Sequence, residues 1–414
     1  MRFLHLSDLH FGKSIHGVSL LENGDQPTWA ERFLTLARSV RPDAVVIAGD
    51  IYDRSSPSGA AVALLDRMLT ELARLGIPVL LIAGNHDSGQ RLAFASGLLA
   101  RQNLHIAGVL SPTMVLEHVT LKDECGPVTF WLMPYIFPAL VAQVLGDEAI
   151  RDYDTAVRRL LAAQDIDFSA RNVLVAHQNV TAGGAEAVRG GSESMVGGVG
   201  QIDYTAFDGF DYVALGHIHA SYPIGRESVR YAGSPLCYHF NETNQATKGA
   251  VLVTLGAKGT EPVTETLTIP ALHPMREIRG AWEEIRDREL VADTRGEYLR
   301  IVLEDRRVTP EIAAFFHDLY AGRGSVLMEL VSEYRAFSGG AGAPDAADVR
   351  EKAVEELFAD FYAERCGGDG LSERDAALLH FAGEQQRHAP RQTAPDAATV
   401  EKLLAFLTKQ EELA

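Results

Sequence analysis

Short, unbroken apolar blocks recur through the first half of the chain, and each runs straight into a polar residue able to bind a metal ion. FLHLS leads to Asp8, AVVIAG to Asp50, VLLIAG to Asn85, NVLVA to His177 and DYVALG to His217. Blocks of about four to eight residues enriched in β-branched side chains favour buried strands over helices. Between them, residues 28–40 (TWAERFLTLARSV) and 59–75 (GAAVALLDRMLTELARL) space their apolar residues as helices do, and SGQRLAFASGLLA at 88–100 reads as a further helix. This alternation predicts an α/β fold. In such folds ligands gather outside the carboxyl ends of the strands, so residues placed just after five separate strands are expected to meet in one crevice.

After about residue 270 the pattern changes. PMREIRG, AWEEIRDREL, GEYLRIVLED, TPEIAAFFHDLYAG and SVLMELVSEYR read as a compact βαβαβ unit without a catalytic cluster. SGGAGAPDAA then reads as a flexible linker. Beyond it, Val354, Leu357, Phe358, Phe361 and Tyr362 form one helical stripe, and Val400, Leu403, Leu404 and Leu407 form another. The expected organisation is a catalytic domain over 1–270, a small domain over 271–337, a linker over 338–348 and a helical segment over 349–414. A linker followed by amphipathic helices is how a docking segment is built, so Leu357, Phe358, Phe361, Leu403, Leu404 and Leu407 are expected to meet a protein partner. Packing of these helices on their own body is the plainer alternative. The glycine-dense stretch 183–200 reads as a mobile surface loop close to His177.

Composition narrows the function classes. No apolar run reaches the roughly 18 residues of a membrane span, and MRFLHLSDLH lacks the pattern of a secretory signal, so a cytoplasmic protein is expected. Cys125, Cys237 and Cys366 are too few and too widely spaced for a disulfide framework or a thiolate zinc site. The formal charge of −18 argues against a broad basic face for nucleic acid. From Asp345 to Ala414 there are 15 acidic and 8 basic residues, so the tail is not a DNA arm.

The polar residues after the strands carry the chemistry. Asp8 and His10 in SDLH lie two apart, and in extended chain such a pair points to one side. Alone, an Asp-x-His is more often a turn-capping aspartate beside a surface histidine. GDIYD supplies Asp50, a carboxylate able to bridge two cations, with Gly49 allowing a tight turn and Asp53 in support. GNHD supplies Asn85 as a neutral oxygen ligand, His86 as a proton donor and Asp87 as an orienting carboxylate. His177 in AHQN would be unremarked by itself; GHIH adds His217 and His219, again two apart. Imidazole, carboxylate and amide oxygen without thiolate suit manganese, iron or zinc. Seven ligands with one bridging carboxylate suit two ions, leaving positions for water and a phosphate oxygen. The motifs of serine hydrolases, P-loop ATPases and dinucleotide oxidoreductases are missing from the chain.

In order, DxH, GDxxD, GNHD, a single His and GHxH resemble the calcineurin-like metallophosphoesterases. RFLHLSDLHFGK, VGGVGQIDYTAFDGFDYVALGHIH and YAGSPLCYHF, within about residues 1–250, make the chain most similar to the bacterial DNA-repair nuclease subunits of that family. The resemblance implies a layered β-sandwich flanked by helices and a manganese-dependent nuclease of DNA repair, replication and recombination. It would act as an exonuclease on double strands and an endonuclease on single strands or hairpins. One Mn²⁺ would take Asp8, His10, Asp50 and His219, and the second Asp50, Asn85, His177 and His217, while His86 assists the departing oxygen. A DNA-orienting cap, a homodimer contact through the helices at 59–75 or 88–100, and a coiled-coil ATPase partner are also implied. That partner would supply the phosphate loop and positive surface missing from this chain. Because a motif fixes chemistry and not substrate, a small-substrate phosphodiesterase or phosphatase is the alternative.

Overall fold

The unbroken apolar blocks are strands buried on both faces. Ala44–Ala48 and Val79–Ile82 are buried at every position, and Arg2–Leu6 exposes only Arg2. The structure, a computed structural model, describes residues 1–183, 200–244 and 248–334. Most of the glycine-dense loop, the linker and the stripe residues Leu357, Phe358, Phe361, Leu403, Leu404 and Leu407 lie outside the described residues.

Two six-stranded sheets form the centre. In the first the order is Val263–Thr268, Gly249–Thr254, Arg2–Leu6, Ala44–Ala48, Val79–Ile82 and Leu104–Ala107, the last four parallel. The second runs Tyr222–Ile224, Arg226–Tyr231, Tyr212–Gly216, Arg171–His177, Gly126–Met133 and Glu117–Asp123, its inner four parallel. Phe3, Val46 and Leu80 of the first sheet share one core with Phe130, Val173 and Tyr212 of the second. The alternate residues Leu4, Val45 and Leu81 face the helices Asp25–Val40 and Gly59–Arg74. On the other side Trp131, Leu174 and Leu215 face the helix Tyr153–Ala162. The result is the expected α/β sandwich: helix, sheet, sheet, helix.

The helix Gly59–Arg74 is specified locally. Ser58 caps it by accepting from the amide of Ala61 at 3.2 Å, and Ala61, Leu64, Leu65, Met68 and Leu72 form its buried stripe. The stretch 88–100 departs from expectation, because it breaks into Gly89–Leu92 and Ser96–Leu99 around Ala95 at φ 59°. Gly89 lies so close to Gly108 that a Cβ there would sit 2.0 Å from the Gly108 carbonyl oxygen. That contact and the left-handed Ala95 override a helical periodicity.

The second half contributes Met275–Gly280, Trp282–Val291, Tyr298–Leu303, Pro310–Ala321 and Val326–Ser332, a βαβαβ unit whose parallel sheet has Tyr298–Leu303 at its centre. Ile278, Ile285, Ile301 and Phe316 fill its core. Asp25, buried at the start of the first long helix, accepts from the Tyr298 hydroxyl at 2.6 Å and lies 3.0 Å from His273 Nδ1. A buried carboxylate needs such partners, and here they tie the unit to the sandwich. Among the described residues no helix is long and apolar enough to cross a membrane.

Phe130 is fully buried between the sheets, with its ring edge-on to Phe3 at 5.4 Å. Phe130→Ala is expected to cost about 3–5 kcal/mol in urea denaturation; a loss below about 1 kcal/mol would show that the inter-sheet layer does not hold the sandwich.

Candidate metal centre

Residues at the ends of parallel strands from both sheets meet at one edge of the sandwich. Three loops of the first sheet interlock there. Asp8 N donates to the Gly49 carbonyl at 3.0 Å, and His10 N to the Asp50 carbonyl at 3.0 Å. The Asp87 carboxylate accepts from Gly84 N at 2.9 Å, Ile51 N at 3.1 Å and Tyr52 N at 2.9 Å. Asp87 therefore clamps the GNHD turn onto the GDIYD loop, and its pKa is pushed up to about 6 by burial and by the Asp50 charge, against those three amides. His86 is oriented instead by Asp53, whose backbone carbonyl oxygen lies 3.0 Å from His86 Nδ1. The Asp53 carboxylate takes Lys13 Nζ at 2.8 Å.

The pairs two apart do not converge through extended backbone, as the sequence pattern suggests. Asp8, His10, Asp50 and His217 have φ of 53°, 43°, 49° and 100°, so left-handed turns aim these side chains inward. Such conformations cost on the order of 1–3 kcal/mol each and persist where surrounding bonds hold them. The motif glycines have a sharper reason than turn formation. A Cβ on Gly49, at φ 85°, would lie 2.3 Å from His177 Nδ1. One on Gly216 would lie 1.9 Å from the Ala48 carbonyl oxygen and 2.7 Å from the same His177 nitrogen. Both glycines clear the seat of His177, which faces Gly49 from the opposite sheet and pairs with Gly216 on its own.

Hydrogen bonding fixes which nitrogens can act as ligands. His177 Nδ1 lies 2.8 Å from the Ala48 carbonyl. A carbonyl only accepts, so Nδ1 carries the hydrogen and Nε2 points to the site. That Nε2 is 3.3 Å from Asp50 Oδ2 and 3.1 Å from Asn85 Oδ1, and His217 Nδ1 is 3.1 Å from the same Asn85 oxygen. On the other side His10 Nε2 is 3.2 Å from His219 Nε2 and 3.6 Å from Asp50 Oδ2. Asp8, His10 and His219 offer ligand atoms within 4.8 Å of one another, as do Asp8, Asp50 and His177. The seven residues singled out in the sequence thus meet around Asp50, and His86 joins them, since His10, Asp50 and His86 also offer ligand atoms within 4.8 Å of one another. Asp8, His10, Asp50, His177 and His219 are buried, while His86 has 31% of its side chain exposed and lies 4.0 Å from Asp50 Oδ2.

The electrostatics fit cations. Burial opposes charge on Asp50, but the adjacent His177 outweighs it and holds the carboxyl far below its usual range. Burial would also lower the His177 pKa; the Asp50 carboxylate reverses this and pushes it up to about 9. Burial holds His10 well below the ordinary histidine value, and its Nδ1 has no hydrogen-bond partner among the described residues. Imidazole nitrogens, carboxylates and one amide oxygen crowded together at these distances suit divalent ions, which would displace the proton that the Asp50 carboxylate favours on His177.

Two buried polar residues stand behind the cluster that no motif flagged. Gln26 donates to the His10 carbonyl at 2.7 Å and accepts from Gly12 N at 2.8 Å, holding the loop that carries His10. Glu242 lies 3.0 Å from His219 Nδ1. Both lie in polar stretches, GDQPT and FNETN, so the sequence gives no signal that they are buried.

A calcineurin-like phosphoesterase family model matches residues 1–221, more than half of the chain. The chain belongs to the calcineurin-like phosphoesterase family. This phosphoesterase is also matched over residues 271–365 by a model described as the type 5 capsule protein repressor C-terminal domain. It is 32% identical over 309 residues to the D subunit of the nuclease SbcCD of Staphylococcus epidermidis, covering 73% of this chain and 79% of that protein. Two solved structures match at 12% identity, each covering 64% of this chain and 98% of its own. They are TT1561 of Thermus thermophilus, with a TM-score of 0.38, and a dimetal phosphatase from Danio rerio, with a TM-score of 0.34. The chain is a metal-dependent phosphoesterase, a hydrolase homologous to the SbcD component of SbcCD.

Because His177 cannot keep its seat beside a methyl group, Gly49→Ala is expected to weaken Mn²⁺ binding by about 100-fold in a calorimetric titration. Wild-type affinity in that variant would contradict the packing described for the two sheets.

Proposed function

We propose that this phosphoesterase is a manganese-dependent DNA nuclease, an exonuclease on double strands and an endonuclease on single strands or hairpins. In this reading it is the catalytic subunit of a cytoplasmic SbcCD-type complex in DNA repair, replication and recombination. The observation that carries the reading is a full set of ligand side chains in a chain 32% identical to a subunit of a named nuclease.

One Mn²⁺ would be held by Asp8, His10, Asp50 and His219, and the other by Asp50, Asn85, His177 and His217. When bound, the ions supply Lewis acidity to the phosphodiester and lower the pKa of the attacking water. The chain itself does the rest. Asp50 and the histidines would hold the ions in place, and the buried walls exclude bulk water. His86 donates its Nδ1 hydrogen to the Asp53 carbonyl at 3.0 Å, and its Nε2, 4.0 Å from Asp50 Oδ2, would pass a proton to the departing oxygen when the ring is in the imidazolium form.

The acidic surface is consistent with a partner that grips the DNA. Residues 349–414 dock an SbcC-type coiled-coil ATPase in this account, and 271–337 form a cap that orients the DNA. Val62, Phe94 and Leu98 are exposed apolar residues on the helical face at 59–99, which supports a homodimer contact there.

Purified protein with Mn²⁺ is offered end-labelled duplex, hairpin DNA and a chromogenic phosphodiester. Hairpin opening and duplex degradation are expected, and His86→Ala is expected to lower the cleavage rate by about 10²–10⁴-fold while still binding Mn²⁺. Brisk hydrolysis of the small ester with intact DNA would instead favour a phosphodiesterase acting on small substrates, and undiminished cleavage by the variant would remove His86 from the mechanism.

A further inference from the structure

The described residues between Ser234 and Lys248 contribute no ligand to either donor set, yet Tyr238 and Glu242 among them stand against one of these sets. Tyr238 presents its ring to both His10 and His219, at centroid distances of 5.4 and 5.5 Å, and its hydroxyl donates to the Leu9 carbonyl at 2.6 Å. Four residues on, Glu242 is 1% exposed. Its two oxygens are divided: Oε1 lies 3.0 Å from His219 Nδ1, and Oε2 takes Lys248 Nζ at 2.7 Å and Tyr238 N at 3.2 Å. Lys248 donates in turn to the Ser234 hydroxyl at 2.7 Å and to the His219 carbonyl at 2.8 Å.

We propose that Glu242, braced by Lys248, is a positioning residue that commits His219 Nε2 to the ion held with Asp8 and His10. The inference rests on the two-ion reading above. A carboxylate accepts and cannot donate, so its contact requires the hydrogen of His219 on Nδ1 and leaves the Nε2 lone pair aimed at His10 Nε2, 3.2 Å away. Without a counter-charge that buried carboxylate would be destabilising. The Lys248 ammonium prevents this. The brace contacts His219, whereas the His177 side has its own fixing contact in the Ala48 carbonyl. Loss of Glu242 should therefore act on one ion and spare the other.

The test is Mn²⁺ titration of the full chain, followed by calorimetry and by the electron paramagnetic resonance of free Mn²⁺, for wild type and Glu242→Gln. Wild type is expected to take up two ions. In Glu242→Gln one site should weaken by about 10–100-fold with the other unchanged, and cleavage should recover in excess Mn²⁺. Glu242→Gln/Lys248→Met, which removes both charges together and so leaves no uncompensated buried ion, should give the same selective loss with an unchanged melting temperature. Two sites of wild-type affinity in both variants, or equal weakening of both sites, would overturn the proposal. Failure of the wild type to bind two ions would overturn the reading beneath it.

Discussion

Crowding of like donors is the constraint to which the rest of this structure answers. Asp8, His10, Asp50, His177 and His219 are removed from water within a few ångströms of one another. Uncompensated, such a cluster is unfavourable, because buried lone pairs and carboxylates lose hydration without gaining partners. Nearly every local feature serves to hold it closed. The left-handed turns at Asp8, His10, Asp50 and His217 aim the side chains inward. The amide-to-carbonyl bonds between neighbouring loops and the three amides on Asp87 stop those turns from relaxing. A divalent ion on each side of Asp50 would return the electrostatic free energy that the arrangement costs.

The two sheets divide the labour. The first brings Asp8, Asp50 and Asn85 on adjacent parallel strands whose order places their loops side by side. The second brings His177 and His217 on neighbouring strands paired through Gly216 and His177. Neither sheet holds a complete site, so the site exists only while the inter-sheet core around Phe3, Phe130 and Tyr212 keeps them in register. The βαβαβ unit is anchored to the same framework through Asp25, which neighbours Gln26 and therefore the loop carrying His10.

Much of this was legible in the chain alone, for definite reasons. A strand buried on both faces must be apolar throughout, so its polar terminus stands out, and Asp8, Asp50, Asn85, His177 and His217 are all such termini. The helix Gly59–Arg74 was legible because its cap and stripe are both local. What stayed hidden depends on contacts distant in sequence. No pattern around Gly49 or Gly216 reveals that the space they clear belongs to His177, more than a hundred residues from Gly49. The close approach of Gly89 to Gly108 is equally invisible, as is the contact of Lys248 with the Glu242 that braces His219. The extended-chain argument for Asp8 with His10 reached the right convergence through the wrong backbone geometry, since a turn can aim two side chains together as well as a pleat can.

The central claim is that Asp50 stands between two cations. Crystals soaked in Mn²⁺ and measured at the manganese absorption edge would test it without reference to substrate or partner. The account predicts two anomalous peaks about 3.5–4 Å apart, one beside Asp8, His10 and His219 and the other beside Asn85, His177 and His217, with an Asp50 oxygen reaching both. A single peak, or a pair of peaks remote from Asp50, would contradict it.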